Sequence, residues 1–135
     1  MKDNKIWWRL ESKEDFYDTL VGWWTKRGFP VQDIEALPRK IFVGYTEDFD
    51  LYAIPVYDTD SSRCWVGFPS SNPEATKELK EGVLDWLFGI VETCMRYQGY
   101  KIIQTTSNTS PIVKVLEDRD YNGDESGVTF YAKKL

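Results

Sequence analysis

Apolar and polar positions alternate along this chain with two different periods. Ile6–Leu10 is a short apolar, aromatic run that reads as a first strand. After it, Ser12 stands before Lys13-Glu14-Asp15, an N-cap followed by acid in the first turn. Phe16, Leu20 and Trp23 or Trp24 then recur at helical spacing until Gly28 and Pro30 stop the run. A shorter helical piece, Asp33–Leu37, ends at Pro38. Lys40–Tyr45, Leu51–Tyr57 and Arg63–Phe68 read as three strands joined by short links, hence an antiparallel meander. Pro55 predicts a bulge or an interrupted ladder in the middle strand, and Asp58–Ser62 is a turn.

A long helix is expected next, opening at Asn72 as N-cap with Pro73 at N1, or at Ser71 with Glu74 closing a capping box. Ala75, Leu79, Val83, Trp86, Leu87, Ile90, Val91 and Cys94 form its apolar stripe. Gly82 and Gly89 interrupt that stripe, which predicts close approach to the sheet, and Gly99 ends it. Tyr100–Thr106 is a strand. A helix capped by Asn108 or Ser110, with Pro111 in its first turn, runs to about Arg119; the polar turn YNGDESG follows, and Val128–Ala132 is the last strand. The order β-α-α-β-β-β-α-β-α-β predicts a layered α/β (α+β) domain on a mixed sheet, and 135 residues fit one such domain.

Composition sharpens this picture. Six Trp, seven Phe and eight Tyr supply enough ring surface for a packed core and a wide cleft. The net charge is −5, and no Lys/Arg cluster exceeds two adjacent residues, which argues against a nucleic-acid partner. No apolar run approaches a membrane span, and MKDNKIWWRL lacks a signal-peptide core. Two cysteines, Cys64 and Cys94, fit a reduced cytoplasmic protein better than a disulfide framework. The chain has no histidine, so the usual zinc sites and Ser-His or Cys-His nucleophile pairs are excluded. Acid-base work falls to Asp, Glu, Tyr, Lys, Cys or water.

From Trp7 to Leu135 the element order resembles the GCN5-related N-acetyltransferase (GNAT) family. The tail matches best: Tyr100–Thr106, Asn108, Pro111–Arg119, Tyr121 and Gly127–Lys134 follow the family's strand, Asn, short helix, aromatic and closing hairpin. The junction GFPSSNPEATKEL and the Leu37-Pro38 pair also look like those of phage-type GNAT-like proteins. The resemblance implies a mostly antiparallel GNAT-like sheet flanked by helices. It further implies acetyl-CoA as co-substrate and transfer of its acyl group to an unidentified amine. The slot for the coenzyme is expected between Arg63–Phe68 and Tyr100–Thr106, and its phosphates at Ser70, Ser71 and Asn72. On the same resemblance Trp65, Gly67, Phe68 and Asn108 line the coenzyme, with the oxyanion held by a backbone N–H near Gly67 or Phe68.

Two positions depart from the family pattern. PSSNPEA carries no Gly and no basic residue, and Leu116 stands where many members have a proton-donating Tyr. Tyr121 is the substitute acid and Asp58 the candidate base, with Asp58 and Asp60 otherwise reading as a solvated turn. Asn108 reads equally as a helix cap. Tyr45 and Tyr57 fall near the expected acceptor side, Cys64 on the strand facing the slot, and the tryptophans in the core. The departures also carry an alternative: an inactive GNAT-fold protein used in assembly or partner binding, for example a phage structural or accessory component. A homodimer is a candidate assembly.

Overall fold

The computed structural model describes residues 5–107, 110–123, 131–133 and 135. Strand β1 (Trp7–Glu11) leads into helix α1 (Lys13–Arg27), and a 3-10 turn at Ile34–Ala36 leads into β2 (Lys40–Tyr45) and β3 (Asp50–Tyr57). Strands β4 (Arg63–Val66) and β5 (Ser70–Ser71) follow, then a single helical turn, α2 (Lys77–Lys80). Helix α3 (Val83–Tyr97), β6 (Ile102–Thr105) and α4 (Ser110–Asp118) complete the described elements. The expected strand at Val128–Ala132 falls largely outside the described residues, as does Asn108.

Helix α1 starts and stops where its sequence directs. The Ser12 hydroxyl accepts from the Asp15 N–H at 3.2 Å. Gly28, at φ 72°, lets its own N–H reach Thr25 O while Phe29 N–H reaches Trp24 O, so the last carbonyls are satisfied.

The sheet order is β1-β2-β3-β4-β6, with β5 also paired to β3. All pairings are antiparallel except β4–β6, whose parallel register runs from Arg63↔Ile102 to Val66↔Thr105. Helix α1 covers one face, packing Phe16, Leu20, Trp23 and Trp24 on Ile41, Val43 and Ala53. Helices α3 and α4 cover the other face, where Leu87, Phe88, Val91, Ile112 and Leu116 meet Phe42, Ile54, Val56, Cys64 and Val66. At Gly44 a methyl group would already touch Val83 and Leu87, at 3.4 and 3.5 Å, so α3 lies close against β2.

The long helix is shorter than its stripe predicts. Asn72 and Pro73 open a turn, α2 is capped by the Thr76 hydroxyl, and α3 begins only after Gly82. Gly82 sits at φ 73°, a left-handed conformation that breaks the helix, so it is the N-cap and not an interior residue. Gly89 is interior, but the neighbour it admits is the Arg119 guanidinium, and the sheet lies elsewhere. Trp7, Trp8 and Leu10 on edge strand β1 are exposed, which corrects the expectation that every tryptophan lies in the core.

Candidate functional site

One local conflict in the sheet creates the site. Pro55 has no N–H to give across β3, and between the β4 and β5 pairings Gly67, Phe68 and Pro69 leave the ladder. The Gly67 N–H bonds the Pro55 carbonyl at 2.8 Å. Its Cα lies so close that an added Cβ would stand 2.9 Å from the Pro55 ring and 3.1 Å from the Tyr57 ring. The expected interruption is therefore real, and it splits one long strand into β4 and β5.

The consequence lies beyond Val66. Up to that residue β4 and β6 are paired along the whole of β4, so the predicted slot between them is closed. Past Val66 the chain follows β3 as β5, while past Thr105 it turns toward α4. The two parallel strands part there, leaving a cavity of about 260 Å³. Phe68, Pro69, Ser70 and Ser71 form one wall, and Leu84, Pro111 and Ile112 the other. Tyr52 of β3 lines the cavity as well, and Trp23, Trp24, Arg27 and Phe29 bring the α1 layer to it. Because the sheet ends at this gap, helices from both of its faces reach the same space.

Polar groups hold the walls. The buried Trp24 indole N–H donates to Ser70 Oγ at 2.9 Å, tying α1 to β5. Arg27 donates through Nη2 to Ser71 Oγ at 2.7 Å and through Nε to the Ser71 carbonyl at 3.2 Å. Lys80 reaches the adjacent Asn72 carbonyl at 3.3 Å. Burial, reinforced by the Arg27 charge, lowers the Lys80 pKa. Burial likewise raises the Tyr52 pKa against the weaker pull of Arg27, so this phenol is protonated at neutral pH. Beside the cavity, the first intrahelical bond of α3 is Trp86 N–H to Gly82 O at 3.1 Å. That leaves the N–H groups of Val83, Leu84 and Asp85 outside the ladder.

No protein-family model and no curated protein sequence matches the chain. Its shape does find counterparts. An aminoglycoside acetyltransferase, meta-AAC0020, from an uncultured soil metagenomic sample and solved with sisomicin, superposes with a TM-score of 0.71. The identity is 10%, and the match covers 96% of this chain and 97% of that one. The aminoglycoside N-acetyltransferase AAC(6')-Iy in complex with CoA gives 0.69 at 15% identity, covering 99% and 98%. The ribosomal-protein-alanine N-acetyltransferase of Brucella melitensis biovar Abortus 2308 gives 0.66 at 13% identity, covering 95% and 100%. The chain has the GNAT fold. Nothing in these three likenesses supports the phage-type resemblance, which is carried no further.

Within the GNAT fold the predicted site residues separate into two groups. Phe68, Ser70 and Ser71 line the cavity. Asn72 lies next to it but is buried, its amide donating to Asp50 O at 2.8 Å and its carbonyl oxygen accepting from Glu74 N–H at 2.9 Å. These residues belong to a strand and a side-chain turn, so the predicted phosphate position at a helix start is corrected: the helix start is Val83. Gly67 is at the gap with its N–H already bonded, so of the expected oxyanion pair only Phe68 lines the cavity.

Other candidates lie elsewhere. Trp65 faces away from the main core, opposite Tyr57 and Gln104, and is not part of the lining. Asp58 follows the Tyr57 end of β3, whereas the cavity meets β3 at Tyr52. Its carboxylate is held by Lys40 Nζ at 2.9 Å and by the Tyr100 hydroxyl at 3.0 Å. Tyr121 packs edge-on against Phe88 with its hydroxyl buried. That hydroxyl has no partner at hydrogen-bond geometry, yet burial first and then the Glu92 carboxylate drive its pKa far up. Cys64 is fully buried in the main core and does not face the slot. Tyr45 stacks with Trp7 beneath the Arg9 guanidinium, and the Tyr57 hydroxyl donates to Ala36 O, so neither reaches the cavity. Tyr52, Arg27 and Lys80 escaped the sequence reading. Tyr52 looks like any strand aromatic, and the two cations are separated by more than fifty residues of chain.

Proposed function

We propose that the chain is an acyl-CoA-dependent N-acyltransferase that moves an acetyl group from acetyl-CoA to an amine. The observation that carries this reading is the parting of the sheet's one described parallel pair after Val66 and Thr105, which opens a cavity beside the start of α3. The structural neighbours, named as N-acetyltransferases and in one case bound to CoA, support it. The assembly reading drew on Leu116 in place of a proton-donating Tyr and on a junction without Gly or a basic residue. With the helix start at Val83, the turn before it carries Lys80 and Gly82, and the second ground disappears.

In this reading the coenzyme's phosphates take the N–H groups of Leu84 and Asp85, which no described group bonds, with Lys80 alongside. The pantetheine arm takes the gap between β5 and the start of α4, where β5 offers main-chain groups for pairing. The amine nitrogen bonds to the thioester carbon, the C–S bond breaks, and the amine's proton passes to water, since no carboxylate lines the cavity among the described residues. Tyr52 stays protonated and hydrogen-bonds the departing sulfur, the role for which Leu116 has no group. Leu116 is instead buried in the core under α4.

Thermal unfolding with and without acetyl-CoA is the test. At a hundred times Kd the coenzyme adds about 2.7 kcal/mol of stability, which raises Tm by roughly 5–15 °C. Lys80→Gln should weaken binding, and Tyr52→Phe should slow CoA release while leaving binding intact. An unchanged Tm at millimolar acetyl-CoA defeats the proposal.

A further inference from the structure

The two ends of the cavity differ, and the difference bears on the amine; this inference rests on the acyltransferase reading. The start of α3 lies on one face of the sheet, so a coenzyme anchored there leaves the opposite, α1-facing end for the acceptor. That end is formed by Trp23, Trp24, Phe29 and Arg27, and Phe68 belongs to the same lining. Phe29 and Phe68 are 47% and 41% exposed, so aromatic surface in the lining is open to a ligand. Arg27 is the single charged side chain among the described lining residues. Among the described residues it bonds only to Ser71, and no described carboxylate pairs with it. The neighbouring Lys26 engages Glu74, and the nearby Lys80 adds a second positive charge.

A polycationic amine needs carboxylates to receive it, and this end offers a guanidinium instead. Rings stack on rings, and a guanidinium with spare N–H donors takes a carboxylate. The cavity is about 260 Å³ in all and is shared with the pantetheine arm, so its α1-facing end is sized for one ring system rather than a chain of sugars. We infer that the acceptor is a small aromatic amine carrying a carboxylate, of the size of an aromatic amino acid, with its rings against Phe29 and Phe68 and its carboxylate on Arg27.

Isothermal titration of the full chain tests this with L-tryptophan, L-phenylalanine, tryptamine and sisomicin, each with CoA saturating and again without it. The expected result is that an aromatic amino acid binds, that tryptamine, which lacks the carboxylate, binds roughly 10- to 100-fold more weakly, and that sisomicin does not bind. Arg27→Gln should remove the preference for L-tryptophan over tryptamine, both with CoA saturating and without it. The inference is overturned if neither amino acid binds at 10 mM, if tryptamine or sisomicin matches them, or if Arg27→Gln leaves that preference intact. Failure to bind CoA counts against the acyltransferase reading alone, because the titrations without CoA still report on the aromatic end.

Discussion

Replacing Gly89 by alanine sets two effects of similar size against each other. Gly89 lies in the interior of α3, where alanine is favoured over glycine by about 1 kcal/mol. An alanine methyl, however, would stand 3.1 Å from Arg119 Nη2, closer than carbon and nitrogen normally approach. The guanidinium has little room to retreat. It donates to Glu92 through Nη2 at 2.8 Å and Nε at 3.0 Å, and to Asp85 through Nη1 at 3.4 Å. Arg119 and Glu92 are only 24% and 19% exposed, so solvent screens this fork weakly. A shift of a few tenths of an ångström takes both short bonds to the edge of good geometry. Hydrogen bonds to charged groups contribute about 1.5–3 kcal/mol, so losing most of that outweighs the helix gain. Gly89→Ala should therefore destabilise by about 1 kcal/mol in the wild-type chain and stabilise by about 1 kcal/mol in an Arg119→Ala background. Urea unfolding of the four proteins, read as a double-mutant cycle at constant m-value, measures the difference. If Gly89→Ala stabilises both backgrounds equally, the contact does not constrain Arg119 and the reasoning fails. The result also bears on the site, because Arg119 fastens the far end of α4, whose first turn forms one wall of the cavity.

Three further outcomes are expected. Trp24→Phe and Ser70→Ala each remove one partner of the buried bond between α1 and β5, and their coupling in a double-mutant cycle should be about 1 kcal/mol; additivity would mean the bond contributes nothing. Burial is the largest single influence on Glu92 and raises its pKa, but the Arg119 hydrogen bonds and charge together with the smaller contributions of Tyr121 and Arg96 outweigh it, so the folded pKa lies below the ordinary 4.5. The unfolded chain then binds more protons in that range, and this stabilisation, complete above about pH 5, is lost as pH falls through the folded value. Acid titration of stability should show a shallower slope in Glu92→Gln than in wild type. Leu116→Ala opens a cavity in the main core and should cost about 2–5 kcal/mol in chemical denaturation, whereas a cost under 1 kcal/mol would show that Leu116 is not core.

Local chemistry was legible in the sequence. Ser12 and Gly28 bound α1 because their partners, Asp15, Thr25 and Trp24, are three or four residues away. The layered order of strands and helices, the interruption at Pro55 and the stripe of α3 followed from residue pattern, and the likeness of that order to the GNAT order entered as a resemblance. The positions that went astray depend on distant neighbours. Asn72 looks like a helix cap, but its amide is held by the Asp50 carbonyl, and the helix it seems to open waits for the left-handed turn at Gly82. Ser70 looks like a phosphate ligand, yet its hydroxyl receives the indole of Trp24, forty-six residues earlier. Sequence by itself determined most of the segments that become strands and helices, while the adjoining of two parallel strands was implied only by the family resemblance. Only the tertiary structure decided where those strands separate, because that point is set by Gly67 packing on Pro55 and Tyr57. It also decided that Trp23, Tyr52, Phe68 and Arg27 share one cavity, since their convergence comes from sheet pairing that no local pattern encodes.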